Sequence, residues 1–98
     1  MNSRILFLSL LFPLSTALQA APLMSKAEYE DYSVKYQCIQ LRHVRDLKAK
    51  EAALSELEQA FHLNEDNFEE FDQLITEYER DDQLLDRIRS RVLTDCGE

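Results

Sequence analysis

The sequence predicts an all-α protein, a small bundle of four helices stapled by one disulfide, or of three helices if the first two fuse. Three observations lead there. Between Pro22 and Gly97 the chain contains neither glycine nor proline, so nothing in it breaks a helix outright. Apolar residues recur with the 3.6-residue period of amphipathic helices, and each run is preceded by a capping residue. Only two cysteines occur, Cys38 and Cys96, in a chain that opens with an export signal.

That signal occupies residues 1–20. Arg4 is the single charge of a short n-region, Ile5 to Leu14 form an apolar h-region, and the small residues Ala17, Ala20 and Ala21 follow. The apolar run is shorter than the roughly 20 residues a spanning helix needs. Cleavage is expected after Ala20 or after Ala17, leaving residues 21–98 as a single helical domain. The compartment expected is the bacterial periplasm or the exterior, where disulfides form. A domain of some 78 residues buries a modest core. A Cys38–Cys96 bond closes a long loop and contributes about 4 kcal/mol in the chain-entropy account.

The first helix of the mature chain is expected over Lys26 to Val44. Ser25 and Glu28 have the S-x-x-E spacing of a capping box, with Met24 and Tyr29 placed as a hydrophobic staple. At 100° per residue this helix carries two apolar stripes. Tyr29, Tyr32, Tyr36, Ile39 and His43 form one; Ala27, Val34, Cys38 and Leu41 form another, nearly opposite. A helix with two apolar stripes must be covered on two sides. Because Cys38 lies on the second stripe, that face is expected to meet the helix ending at Cys96. The tyrosine face is then left for helices two and three, or stays partly open.

Asp46 is read as the N-cap of a second helix, Leu47 to about Phe61, with Leu47, Leu54, Leu57 and Phe61 on one stripe and alanines beside it. One helix running through from Lys26 to Phe61 is the alternative. Asn64 caps a third helix, Glu65 to about Glu79, where Leu63 and Phe68 suit a second staple. Its stripe is Phe68, Phe71, Leu74, Ile75 and Tyr78. Charges at Arg80, Asp81 and Asp82 interrupt that stripe, and Asp81 or Asp82 caps a fourth helix that buries Leu85, Ile88 and Val92. It ends at Cys96, with Gly97 placed as C′ and Arg87, Arg89 and Arg91 towards the negative end of the helix.

Chemistry is sparse. The formal charge is −8, or −9 once Arg4 leaves with the signal, which disfavours nucleic acid and anionic lipid as partners. No serine sits in a G-x-S-x-G context, and the two histidines, His43 and His62, are expected in separate places, the first packed and the second at a helix end. There is no C-x-x-C pair, no zinc-ligand spacing and no calcium loop, so neither catalysis, a metal nor a cofactor is expected. Tyr29, Tyr32 and Tyr36 are the candidate partner-binding residues, since aromatics with a polar tip suit interfaces. A homodimer would use the same stripe. The function expected is non-catalytic binding of another protein, the partner being unnamed by the sequence. Two alternatives stand beside it. An export signal, an acidic helical domain and one long-loop disulfide are similar in plan to the small acid-activated chaperones of the periplasm. A secreted inhibitor or immunity-type protein masking a basic enzyme is the other.

Overall fold

Helix α1, Lys26–Arg42, is the axis on which the other elements are laid. The computed structural model describes residues 21–97; the expected signal peptide lies outside the described residues. After α1 come α2, Leu47–Ala60, a 3₁₀ turn at Glu65–Asn67, α3, Phe68–Tyr78, and α4, Asp82–Asp95. Among the described residues there is no strand.

The start of α1 is held as its capping box dictates. The Ser25 hydroxyl accepts from the Glu28 N–H at 3.1 Å, and the Glu28 carboxylate accepts from the Ser25 N–H at 2.8 Å. Met24 and Tyr29, the staple pair, are both buried. Helix α1 then ends at Arg42, two residues before the expected Val44, and does not fuse with α2. His43 leaves the helical region, and the Asp46 carboxylate accepts from the Ala49 N–H at 3.0 Å, so α2 has its own capped start. Asp81 does the same for α4, accepting from the N–H groups of both Gln83 and Leu84.

Side-chain contacts give the directions. Lys26, Glu30 and Cys38 of α1 meet Asp81, Arg87 and Cys96 in that order, so α4 runs parallel to α1. Tyr32 meets Phe71, and Met24 and Tyr29 meet Tyr78, so α3 runs antiparallel to it. Tyr32 also touches Phe61, just past the end of α2. Helices α2 and α3 therefore lie one after the other along α1, α2 on its C-terminal half and α3 on its N-terminal half.

The core follows from this arrangement. Val34 and Cys38 of α1 pack with Leu84, Ile88 and Val92 of α4, while Tyr29 joins Phe71, Leu74 and Tyr78 of α3. The Cys38 face of α1 meets α4 through Val34 and Cys38, while Ala27 and Leu41 of that stripe are exposed; the tyrosine face meets α3 and the end of α2. Cys38 and Cys96 are bonded, their Cα atoms 5.4 Å apart. In α4 the fully buried residue is Leu84 rather than Leu85, because the buried arc is centred on Ile88 and extends one step towards α1.

Several local expectations are corrected. Phe68 is 48% exposed and forms no staple. Asn64 caps the 3₁₀ turn instead of an α-helix, its side chain accepting from Asp66 N–H while Asn67 returns the bond. Within α3, Phe68 stands about 90° from the centre of the buried Phe71, Leu74 and Tyr78 arc, so it points outward. Leu63 is still buried, for another reason. It follows His62, which adopts φ 59°, the left-handed region, and ends α2 in a Schellman pattern. The Leu63 N–H bonds Glu58 O at 2.8 Å and the His62 N–H bonds Gln59 O at 3.1 Å. Gly97 has no positive φ, so it is not a left-handed cap. Its lack of a side chain serves close approach, since a Cβ there would lie 2.8 Å from Leu93 O. Arg87 and Arg91 reach across to α1, and Arg89 pairs with Asp86 within α4, so ion pairing rather than the helix dipole places them.

Candidate functional site

The tyrosine face of α1 is not fully covered, and the gap is the candidate site. Tyr29, Tyr32 and Tyr36 occupy successive turns. The ring of Tyr29 is buried edge-on to Tyr78, with centroids 5.7 Å apart, and its hydroxyl donates to Glu79 Oε2 at 2.9 Å. Tyr78 in turn donates to the Met24 carbonyl at 2.9 Å, which ties α3 to the chain ahead of α1. Tyr29 is thus mainly a structural residue. Tyr32 stands at the centre of an aromatic cluster, edge-on to Phe61 at 5.4 Å and to Phe71 at 5.2 Å, with Tyr36 6.0 Å away. Such edge-to-face pairs add about 0.5–1.5 kcal/mol each beyond burial. Tyr36 has no covering helix and is 39% exposed.

Between α1 and α3 these rings wall a groove of about 370 Å³. Its floor is Tyr32, Phe71 and Ile75; Tyr36 and Gln37 form one rim, and Glu79 closes an end beside Tyr29 and Ser33. The groove therefore offers apolar aromatic surface with a carboxylate, an amide and phenol hydroxyls at its edge. Burial raises the pKa of the Tyr29 phenol, helped by Glu79 and opposed by Ser33. Burial, with the charge of Glu58 second, pushes Tyr32 up to about 12. Both phenols stay neutral at physiological pH, so the apolar floor carries no charge of its own.

A second hollow, of about 590 Å³, lies between α1, α2 and the end of α4, against the disulfide. Its walls are Ala53, Ala60, Ile39 and the stems of Lys35 and Arg42, with Glu56 and Asp95 opposite. His43 also lines it, but no Phe, Tyr or Trp does, and large aromatic anchors carry most interface energy. Among the described residues no group of three His, Cys, Asp or Glu side chains converges on a point that could hold a metal ion. Nor is any helix among them long and apolar enough to cross a membrane.

Of the sequence-derived candidates, all three line the groove, Tyr32 and Tyr36 along its length and the buried Tyr29 at its closed end. Phe71, Ile75, Gln37 and Glu79 were not singled out. Phe71 and Ile75 were legible as the α3 stripe, but only docking of α3 on α1 shows which of its residues line a gap. No protein-family model, no curated protein and no solved structure matches the chain.

Proposed function

We propose that this is a small exported binding protein that acts without catalysis, taking a segment of a protein partner into the groove between α1 and α3. The observation that carries the reading is Tyr36: a tyrosine left 39% exposed on the rim of an aromatic-floored groove. Tyrosine at a groove rim provides contact area at low entropic cost, with a hydroxyl for orientation. The segment that fits is a short apolar or aromatic helix face or strand edge.

The test is affinity capture of the tagged, exported protein from its own cell envelope and medium, beside a Tyr36→Ala variant. A partner held by the native chain and lost from a Tyr36→Ala protein with unchanged thermal stability supports the reading. Equal capture by both would remove the groove from it. The chaperone reading has one observation in its favour. Among the described residues every ion pair between helices joins α1 to α4 or its N-cap Asp81 through a carboxylate, and acid would discharge them together. It requires suppression of client aggregation at about pH 3; a chain inert there rules it out.

A further inference from the structure

The charge of this chain is strongly polarised, and one end of the molecule is apolar and basic. Helix α4 stops at Cys96, level with Cys38, so the stripe of α1 that continues through Leu41 has nothing over it. At the α1–α2 corner Leu41, Val44 and Leu47 are 52%, 69% and 65% exposed. Arg42, Arg45, Lys48 and Lys50 surround them against the single acid Asp46, a net charge of +3 over residues 42–50. None of these four cations takes part in an ion pair among the described residues.

Lys48 and Lys50 also stand where a helix disfavours them. They fall at the positively polarised start of α2, whose first turn holds no acid. The 3₁₀ turn leading into α3 and the first turn of α4 both begin with acids. Lys48 is exposed and Lys50 half-buried, and a local rule broken at an exposed position points to a use outside the helix.

The chain carries the complement of this corner. Phe68, an aromatic at the edge of the buried arc of its helix, is 48% exposed at the start of α3. Glu65, Asp66, Glu69, Glu70 and Asp72 surround it, all exposed, with no lysine or arginine among residues 65–79. These acids too form no ion pair among the described residues. One patch is aliphatic with a cationic rim, the other aromatic with an anionic rim.

We propose that the occupant of the basic α1–α2 corner is a second copy of this chain, which presents its Phe68-centred acidic patch. The contact is heterologous, corner to α3. It is separate from the tyrosine groove and does not depend on what that groove binds. The net negative charge of each copy is screened beyond about 8 Å at physiological salt, whereas charges meeting rim to rim are not.

The test is sedimentation of the oxidised mature protein. The wild type is expected to associate with a Kd on the order of micromolar. Arg45→Glu/Lys48→Glu takes the corner from +3 to −1, and Glu69→Lys/Glu70→Lys takes the α3 patch from −5 to −1. Each variant alone should be monomeric, its self-association weakened at least about tenfold. Mixed, the two should co-assemble, because the unaltered basic corner of the α3 variant then meets the unaltered acidic patch of the corner variant. The corner variant places acids at a helix start, which favours its folding. If the α3 variant does not fold, Phe68→Ser weakens the same patch without adding charge, and it should still co-assemble with the corner variant. A wild type that stays monomeric at millimolar concentration overturns the proposal, as does a mixture that stays monomeric. Monomeric wild type binding phosphatidylglycerol vesicles, with the corner variant not binding, would assign the corner to a lipid surface and overturn it equally.

Discussion

Replacing both cysteines, Cys38→Ala with Cys96→Ala, should remove much of this protein's stability, and the magnitude follows from the structure. The bond joins residues 58 apart in sequence. In the chain-entropy account, a loop of that length restricts the unfolded chain by about 4 kcal/mol. A folded chain of this size is stable by about 4–12 kcal/mol in total. The native contacts change little, because Leu84, Ile88 and Val92 still pack against α1 and Cys38 loses only a small buried group. The effect therefore falls on the unfolded state. With a urea m-value of about 1–2 kcal/mol/M, the midpoint should drop by about 2–4 M, and m itself should rise as the unfolded chain expands. Urea titration followed by helical circular dichroism reads both. A double variant within 1 kcal/mol of the oxidised protein, with the same m, would refute the reasoning and show that α4 is held by packing and ion pairs alone.

Two further outcomes are expected. His62→Gly should stabilise the protein by about 1 kcal/mol, because a left-handed residue with a Cβ costs about that much and glycine does not. For a domain of this size that raises Tm by about 4–8 °C in a thermal melt, and an unchanged Tm would mean His62 gains something in that conformation. Glu30 accepts from Arg87 at 2.9 Å and from Arg91 at 3.0 Å, and those two bonds hold its carboxyl below the ordinary value near 4.5. A lowered folded value means the stabilisation is present above about pH 4.5 and is lost as pH falls through the folded value. Glu30→Gln should cost up to about 1 kcal/mol at pH 7 and flatten the fall in urea midpoint between pH 5 and 2. An equally steep fall in the variant would locate the acid sensitivity elsewhere.

The fold was legible where its determinants are local. Ser25 with Glu28, Asp46, Asn64 and Asp81 each cap a segment whose first free N–H groups lie two or three residues away, so the sequence alone displays donor and acceptor together. The two faces of α1 were legible by period, and Cys38 identified which of them α4 takes. Where a stripe was read too wide, the reading failed. Phe68 shares a helix with Phe71, Leu74 and Tyr78, but at 100° per residue it stands about 90° from the centre of their buried arc. The groove was half legible. Its tyrosines are on one helix, but Ile75 and Glu79 reach it only through the antiparallel docking of α3. The exposure of Leu41 depends on where α4 stops relative to α1, a length comparison no single helix contains.

The helices are fastened to α1 unequally. Helix α4 is held along its whole length: Lys26–Asp81 at the start, Glu30 and Asp31 with Arg87 and Arg91 in the middle, and the disulfide at the end. Helix α2 buries one leucine, Leu57, and otherwise faces α1 with alanine and partly covered side chains. Alanine contributes little apolar area, so the free energy to open α2 is smaller than that to open α4. The bond at Cys38 thus secures the face of α1 opposite the tyrosines. Helix α2 can then open locally without loss of the fold. Hydrogen exchange should rank the amides accordingly, with α4 and the middle of α1 slowest and α2 fastest among the helices. The reverse order would mean that α2 is held as firmly as the rest despite its single buried leucine.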